Sequence, residues 1–384
     1  MPSGHPSAPQ GDKPPMSNLA LYRKYRPKTF KEVSGQEHVV KTITNAIAQN
    51  LLSHGYLFAG PHGCGKTTMA RLLAKSLNCL NRKSGEDEPC NNCDSCNEIN
   101  QGNAIDIIEI DAASNRGIDE IRDLKEGIRF RPAKSKYKIF IIDEAHQLTK
   151  EAANALLKTL EEPPSHAIFI LATTEAHKMI PTILSRCQRF DFRKLKMPEI
   201  IARLEYILKQ ENIAFDNDVL NVIAAQASGA MRDAQTLLDE VICLTGQDNK
   251  IELAEVKALL GLSDNGEVLQ FLGFLKQKQI KEGFEFLSNL LDKAVDLKEF
   301  VKALIQYSRE ILLFRIDQNS QSPLIMLLTS EEKKQFTELA ASFSEKEIKF
   351  IIECLMTAEE KMKRASILQL PLELAIIEIC ERGE

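Results

Sequence analysis

Residues Gly55 to Thr67 read GYLFAGPHGCGKT, a run of apolar residues that leads into a glycine-rich segment. From Gly60 onward this stretch matches the pattern G-x-x-x-x-G-K-[ST] in full. A helix-like stretch begins after Gly65, so the motif lies between a predicted strand and a predicted helix, which is the context it requires. The sequence therefore predicts a phosphate-binding loop, and a chance glycine turn is the less favoured interpretation.

The chemistry of this loop follows from its residue types. Its glycines let backbone N–H groups surround a β-phosphate, and the helix N-terminus adds partial positive charge. Lys66 can bridge β- and γ-phosphates, and the Thr67 hydroxyl can reach Mg²⁺. The residues predicted to contact nucleotide here are Gly60, Pro61, His62, Gly63, Cys64, Gly65, Lys66, Thr67 and Thr68.

Apolar runs alternate with amphipathic stretches from about Leu19 to Phe192. The predicted strands are GYLFAG, IDIIEI, YKIFIID and AIFILATT, with a strand-like QRFDF after them, and helices are expected over 36–50, after Gly65, from about Ile118 and over 150–160. Continuously apolar strands between amphipathic helices indicate a parallel sheet covered on both faces. After Phe192 the strand signals stop, and the periodicity becomes helical.

These patterns predict four segments. Residues 1–15, rich in Pro, Ser and Gly, are expected to be a disordered tail, whether tag remnant, start-site uncertainty or native sequence. Residues 16–195 form the α/β domain, with a metal module at 79–96. Residues 196–262 form a small helical domain, and residues 263–384 form a second helical domain that serves either as its own core or as a subunit contact.

Composition narrows the class of protein. The 384 residues carry a net charge of −5, so any contact with nucleic acid must come from a local patch. No apolar run is long enough for a spanning helix, and the N-terminus has no apolar signal segment. Of the nine cysteines, only one cluster forms a pattern, which favours a reducing cytoplasm and one metal site over a disulfide framework.

Two carboxylates end the strand in KIFIIDEAH. Open α/β sheets bind ligands at the carboxyl ends of their strands, so Asp143 and Glu144 are expected beside the phosphate loop. Asp143 can hold Mg²⁺ and Glu144 can orient or deprotonate water. Thr174, at the end of the next strand, can reach between Glu144 and a γ-phosphate, or it can be an ordinary turn former.

Further basic residues have ambiguous roles in the sequence. Arg186 in SRC and Arg232 in GAMRDA could each reach a γ-phosphate, or each could be an ordinary surface arginine. The segment that contains Tyr22, Arg26 and Pro27 could be a nucleic-acid arm, a lid over adenine or a solvated charge run.

Four cysteines have metal-ligand spacing. Cys79, Cys90, Cys93 and Cys96 follow the pattern C-x10-C-x2-C-x2-C. Four thiolates suit tetrahedral Zn²⁺ in a structural site, with an iron–sulfur cluster as the alternative. The intervening NRKSGEDEP is too polar to form a core, so a metal would supply most of its order.

Eight segments together resemble the gamma/tau family of bacterial DNA polymerase III clamp-loader subunits. They are YRKYRPKTFKEVSGQEHV, GPHGCGKTT, the cysteine insert, IEIDAASNRGIDEIRDL, IIDEAHQLT, NALLKTLEEPP, LATTEAHKMIPTILSRCQRF and GAMRDAQTLLD. The resemblance covers about residues 19–384. An intact phosphate loop beside the insert distinguishes this family from the related delta-prime subunit and from eukaryotic loaders.

The resemblance implies a fold and an activity. It implies an AAA+ P-loop ATPase domain, followed by a small helical lid domain and an all-helical collar domain that oligomerises. It assigns Lys66 and Thr67 to the phosphates, Asp143 and Glu144 to Mg²⁺ and water, Thr174 and Arg232 to the first and second sensors, and Arg186 to a finger acting in trans. It favours zinc at the cysteines and the adenine lid for the Tyr22 segment.

The resemblance also implies partners. These are delta, delta-prime and further gamma/tau subunits in a five-subunit ring, the sliding clamp, and primed DNA contacted near Asn115 and Arg116. Because longer tau forms add segments beyond the collar that bind helicase and polymerase, a chain ending at Glu384 is expected to be a gamma-type or truncated form. The alternatives are a structural loader subunit with little hydrolysis and a related AAA+ remodeller or helicase.

Overall fold

The computed structural model describes residues 19–114, 127–128, 130–244, 250–259, 265–293, 295–317, 323–326, 328 and 330–382. These form two compact units. The first contains the chain up to Glu211 together with Val222–Cys243, and the second contains Asn212–Asn221 and the chain from Leu244 onward. The tail predicted over residues 1–15 and the helix predicted from about Ile118 lie outside the described residues.

A parallel sheet of five strands forms the centre of the first unit. Its strands are β1 (Gly55–Ala59), β2 (Ile107–Asp111), β3 (Lys138–Asp143), β4 (Ala167–Thr173) and β5 (Gln188–Asp191). They lie in the order β2-β3-β4-β1-β5, and all neighbours are parallel. The strands predicted from the apolar runs are confirmed.

In the three central strands β1, β3 and β4, successive side chains point into different hydrophobic cores. In β1, Tyr56 and Phe58 pack into one core and Leu57 into the other. In β3, Ile141 and Phe140 divide in the same way. Because both faces of these three strands are buried, their inner residues are apolar without alternation. The expected parallel sheet with helices on both faces is therefore confirmed.

The described part of the first unit also contains helices. They are α1 (Leu21–Lys24), α2 (Glu37–Ala48), α3 (Lys66–Asn78), α4 (Asp94–Gln101), α5 (Lys150–Glu161), α6 (Pro181–Leu184), α7 (Met197–Glu211) and α9 (Met231–Leu244), with short 3-10 turns at Phe30–Glu32, Ala145–Gln147 and Ala176–Lys178. Side chains of α2 and α3 lie in the core that contains Tyr56, and those of α5 lie in the core that contains Leu57. Helix α8 (Asn217–Gln226) contains residues of both units.

Local sequence explains where two of these helices begin. Gly65 precedes α3 with a φ of 102°, a backbone conformation that favours glycine. Thr149 precedes α5, and its side chain accepts a hydrogen bond from the Ala152 amide. This is the usual arrangement for a threonine at a helix N-terminus. Both starts matter for the site, because α3 carries the phosphate-loop residues and α5 follows Asp143 and Glu144.

The second unit is mainly helical. Its helices are α10 (Leu253–Leu259), α11 (Asn265–Lys276), α12 (Ile280–Asp292), α13 (Leu297–Ile316), α14 (Pro323–Met326), α15 (Ser330–Ser342), α16 (Glu345–Met362) and α17 (Leu370–Arg382). Phe271, Phe300 and Leu355 are fully buried in its large hydrophobic core. Among the described helices, none is long and apolar enough to cross a membrane.

One prediction for this part of the chain is wrong. Strand signals were expected to end at Phe192, but β6 (Ala214–Phe215) pairs in parallel with β7 (Lys250–Ile251). A pair of two-residue strands is too short to produce a period-2 pattern, so it cannot be recognised from the sequence.

Candidate functional site

The order of the strands brings three loops to one edge of the sheet. Strand β4 lies between β1 and β3, and all three run in the same direction. The segments that follow Ala59, Asp143 and Thr173 therefore start side by side. This is where an open α/β sheet binds its ligand.

Two of the loop glycines are required because other parts of the chain approach them too closely for a side chain. A Cβ on Gly60 would lie 2.4 Å from the carbonyl oxygen of Phe192. A Cβ on Gly63, whose φ is 69°, would lie 2.8 Å from the Cβ of Ala230. The amide of Met231 also donates to the Gly63 carbonyl at 3.0 Å. The loop is therefore packed directly against the start of α9.

Lys66 is held inside the phosphate loop. The residue is 5% exposed, and its ammonium donates to the carbonyls of Gly60 at 2.8 Å and Pro61 at 2.7 Å. A lysine ammonium has three donors. One therefore remains for an anion, and the other two fix the charge in place.

The two residues predicted to hold Mg²⁺ are in contact. The Thr67 hydroxyl donates to Asp143 Oδ2 at 2.7 Å, and Asp143 Oδ1 accepts from the Glu144 amide at 2.9 Å. A hydroxyl and a carboxylate are oxygen ligands of the kind that Mg²⁺ prefers. The residues present therefore fit this ion.

Glu144 has an unusual backbone conformation. Its φ of 47° and ψ of 43° lie in the left-handed region, which costs a non-glycine residue of order 1 kcal/mol or more. This turn directs the side chain towards β4, where Thr174 donates to Glu144 Oε2 through its amide at 3.2 Å and its hydroxyl at 2.9 Å. The structure thus brings together the predicted water-activating residue and the predicted sensor.

Sequence reasoning missed a third residue at this position. The ring of His146 lies beside Glu144, with Nδ1 at 3.4 Å from Oε2. The only sequence signal was its place two residues after Glu144, which by itself does not predict the direction of the ring.

A cleft of about 860 Å³ adjoins these groups within the first unit. Eight Lys and Arg side chains line it, against four carboxylates, so its charge suits a polyphosphate. The predicted residues that line the cleft are Tyr22, Arg26, Pro27, His62, Gly63, Cys64, Gly65, Lys66, Thr67, Thr68, Asp143, Glu144 and Arg232. Gly60, Pro61, Thr174 and Arg186 are not among its lining residues.

Residues 21–32, which we term the strap, form one wall of this cleft. Residues that the sequence analysis did not predict hold the strap in place. The Arg232 guanidinium lies 4.9 Å from the centroid of the Tyr22 ring, a cation–π contact. Tyr25 donates its hydroxyl to Glu211, and its carbonyl accepts from Arg203 at 2.6 Å. Burial, reinforced by the Glu211 carboxylate, raises the pKa of Tyr25. The strap is therefore held against α7 and α9.

The four predicted metal ligands converge. The sulfur atoms of Cys79, Cys90, Cys93 and Cys96 all lie within 4.8 Å of one another, with those of Cys90 and Cys96 3.9 Å apart. Four sulfurs at tetrahedral Zn–S distances would lie about 3.8 Å apart. Although burial acts in the opposite direction, backbone N–H groups of Asn92 and Cys93 help to lower the pKa of the Cys90 thiol to about 6. The cluster is compatible with zinc.

Buried polar contacts fix the cysteine module to the helix after the phosphate loop. Lys75 on α3 is 2% exposed, and its ammonium donates to the side-chain oxygens of Asn91 at 2.7 Å and Asn100 at 2.9 Å. Burial lowers the pKa of Lys75. An ammonium buried in this way needs such acceptors, so the helix and the module depend on each other.

The module also contacts the strap. The Glu88 carboxylate accepts hydrogen bonds from the amides of Phe30 at 2.9 Å and Lys31 at 3.1 Å. Phe30 itself is 2% exposed in the core beneath the sheet. Glu88, two residues before Cys90, therefore holds one end of the strap. Tyr22 and Arg26 of the same strap line the cleft.

Arg186 lies away from the cleft. Its guanidinium donates to the Thr182 carbonyl at 2.7 Å and forms an ion pair with Glu161 at 2.5 Å. Arg186 is therefore separate from Arg232, which does line the cleft. Asn115 and Arg116, predicted to contact DNA, lie outside the described residues.

Three family models together match most of the chain. DNA polymerase III, delta subunit, matches residues 35–196; the ATPase lid domain of the DNA polymerase III clamp loader subunit matches residues 199–247; and domain III of DNA polymerase III subunits gamma and tau matches residues 251–383.

Curated relatives bear the same family name. DNA polymerase III subunit tau of Bacillus subtilis is 40% identical over 366 residues, which is 95% of this chain and 64% of that protein. The tau subunit of Escherichia coli is 43% identical over 257 residues, which is 67% of this chain and 39% of that protein. The chain thus spans less than two thirds of the length of these relatives.

A solved structure of the Thermotoga maritima RuvB Holliday junction branch migration motor is also similar. It covers 65% of this chain and 78% of its own, at 18% identity and a TM-score of 0.46.

Proposed function

The chain belongs to the gamma/tau family of DNA polymerase III subunits, and we propose that it is an ATP-hydrolysing motor subunit of the clamp loader. One observation carries the proposal. The Thr67–Asp143 and Glu144–Thr174 hydrogen bonds lie at the same edge of the sheet as the buried ammonium of Lys66. A protein that only bound ATP would have no need of a carboxylate oriented in this way.

The cleft binds ATP with its phosphates in the loop. Backbone N–H groups of the loop and the N-terminus of α3 surround the β-phosphate, and the third donor of Lys66 reaches the γ-phosphate. Thr67 and Asp143 would hold Mg²⁺, which neutralises charge on the β- and γ-phosphates when it is bound. Tyr22, Arg26 and Pro27 face the adenine side.

Hydrolysis depends on Glu144. Its carboxylate orients a water molecule and takes a proton from it as the water oxygen bonds to the γ-phosphorus. The bond from that phosphorus to the bridging β–γ oxygen breaks, and the electron pair leaves with ADP. Thr174 keeps Glu144 in position through two hydrogen bonds to one carboxylate oxygen.

Two arginines act at different sites. Arg232 lines the cleft of its own subunit and senses the γ-phosphate as the second sensor. Arg186 acts on the site of a neighbouring subunit, where it stabilises charge in the transition state. Its ion pair with Glu161 keeps it at the surface of its own subunit, which suits a role in trans.

Arg186→Ala tests this division of roles. We expect the isolated subunit to bind ATP as well as wild type does, and the assembled ring to hydrolyse ATP at least about 10-fold more slowly, because it loses an arginine finger. Arg189→Ala is a matched control, since that exposed arginine pairs only with Asp191 among its recorded ion pairs. Loss of ATP binding in the isolated Arg186→Ala subunit would instead assign Arg186 to its own site.

The cysteine module has a structural role with zinc. Cys79, Cys90, Cys93 and Cys96 would hold Zn²⁺ with no position left open for a substrate. The zinc would fix a polar insert that lacks a core of its own. Through Lys75 and Glu88 this insert supports the helix after the phosphate loop and the strap.

The partners follow from the family. We propose a five-subunit ring with delta, delta-prime and further gamma/tau copies, the helical C-terminal domain acting as the collar. The ring opens the sliding clamp and loads it onto primed DNA, which it contacts through local backbone contacts near Asn115 and Arg116. The domain limits of 16–195, 196–262 and 263–384 belong to the same proposal.

ATP turnover by the reconstituted ring tests the proposal. We expect turnover to rise when the clamp and primed DNA are added together, and to rise less with either one alone. If turnover is insensitive to both, the chain is an ATPase with another role. If the ring binds ATP without turnover under any condition, the structural-subunit alternative holds.

A further inference from the structure

His146 is a buried imidazole between two carboxylates. Its side chain is 7% exposed. Nδ1 lies 3.0 Å from Thr173 Oγ1 and 3.4 Å from Glu144 Oε2, and Nε2 lies 3.2 Å from Glu175 Oε2. Both ring nitrogens therefore face polar partners.

The end of β4 holds Glu144 in two ways. Thr174 contacts Glu144 Oε2 directly, whereas Thr173 contacts the His146 ring that lies against the same oxygen. Thr173 is fully buried, and its hydroxyl also accepts from the Glu175 amide at 3.1 Å. The ring thus rests on a fixed hydroxyl rather than on a mobile side chain.

The two oxygens of the Glu144 carboxylate have different surroundings. Oε2 is contacted by the Thr174 amide and hydroxyl and by the His146 ring. Among the described residues, no hydrogen bond or ion pair is recorded for Oε1. Holding one oxygen fixes the plane of the carboxylate, and the other oxygen remains available to water.

We propose that His146 is a positioning residue for ATP hydrolysis, which holds Glu144 in the orientation that activates water. This inference rests on the proposed ATPase function. His146 acts through Nδ1, which the Thr173 hydroxyl fixes at 3.0 Å and which lies 3.4 Å from Glu144 Oε2. On the Nε2 side, Glu175 stops the ring from rotating. Glu175 is itself paired with Lys178 at 2.7 Å.

Two amide substitutions distinguish the contributions of the two ring nitrogens. His146→Asn places a polar atom close to the position of Nδ1, whereas His146→Gln places one close to Nε2. His146→Ala removes both. Glu175→Gln is a control that weakens the Nε2 contact and the ion pair with Lys178 but leaves the Nδ1 side unchanged. Each variant is assembled into the complete ring, and the maximal rate of ATP hydrolysis and the affinity for a fluorescent ATP analogue are measured.

The expected result is a change in rate without a change in affinity. His146→Ala and His146→Gln should lower the maximal rate by about 10- to 100-fold, since a catalytic group displaced by about 1 Å can cost that much. His146→Asn should recover a large part of the rate, and Glu175→Gln should stay close to wild type. Nucleotide affinity should remain within about 2-fold for all four variants.

Every other outcome overturns the proposal. If Gln preserves the rate better than Asn, the Nε2 contact is the important one. If affinity and rate fall together, His146 supports the fold of the site and does not position Glu144. If the variants hydrolyse ATP as wild type does, His146 has no role, although the ATPase function stands. A wild-type ring without turnover defeats the ATPase function and this inference with it.

Discussion

Replacing Glu144 with glutamine should lower ATP turnover of the assembled ring by about 100- to 1,000-fold, because general base catalysis contributes about that much. An amide has nearly the same shape as the carboxylate and can still accept from Thr174, so the local packing is kept. It cannot take a proton from water. Affinity for ATP should therefore change little, since the phosphates are bound by the loop and by Lys66.

Single-turnover hydrolysis and equilibrium binding of ATP measure these two effects separately. Glu162→Gln, an identical change at an exposed position on the same chain, is the control and should match wild type. Turnover above about a tenth of the wild-type rate would contradict the role of Glu144 as the base, because a rate effect of that size is too small for this chemistry. Loss of ATP binding would show that Glu144 supports the loop instead.

Loss of one cysteine ligand should disorder the metal module. Cys93→Ser is expected to lower the zinc content from one per chain towards zero, because the apparent binding free energy of a structural zinc, about 10–16 kcal/mol in small zinc domains, depends on complete ligation. Without the metal the polar insert has little to keep it folded. Metal analysis and thermal unfolding with and without a chelator measure this result.

Loss of the metal should also weaken ATP binding. Glu88 holds the amides of Phe30 and Lys31, so an unfolded module releases one end of the strap. We expect ATP affinity to fall by about 3- to 10-fold, since hydrogen bonds to a charged group contribute about 1.5–3 kcal/mol and only part of that is felt at the cleft.

Glu88→Ala separates the strap from the metal. This variant keeps all four cysteines, so zinc content should stay at one per chain while ATP affinity falls. Glu86→Ala, in the same insert, is the control, because that side chain contacts only the nearby Lys83 amide among its recorded hydrogen bonds. Unchanged affinity in Glu88→Ala would refute the link to the strap, and full zinc binding by Cys93→Ser would refute the ligand set.

Much of the first unit could be predicted from sequence because its signals are local. The apolar run before Gly60 and the acidic pair at the end of β3 each identify a strand and its end. The spacing of the four cysteines identified a cluster that the structure does form. Such patterns lie within a few residues, so a single sequence contains them.

The remaining parts of the site depend on contacts between distant segments. Arg203 meets the carbonyl of Tyr25 from 178 residues away, and Glu88 meets Phe30 across 58 residues. No spacing rule predicts such pairs. His146 is near Glu144 in sequence, but its role depends on the left-handed turn at Glu144 and on the hydroxyl of Thr173.

Transfer of a labelled sliding clamp onto primed circular DNA tests the central claim most directly. Rings are assembled with wild-type or Glu144→Gln subunits, and clamps that remain on DNA after the loader is removed are counted. We predict closed clamps on primed DNA with wild-type subunits and ATP. With Glu144→Gln we predict loader, clamp and DNA held together without release. Equal yields of released, closed clamps from both rings, or none from wild type, would contradict the account.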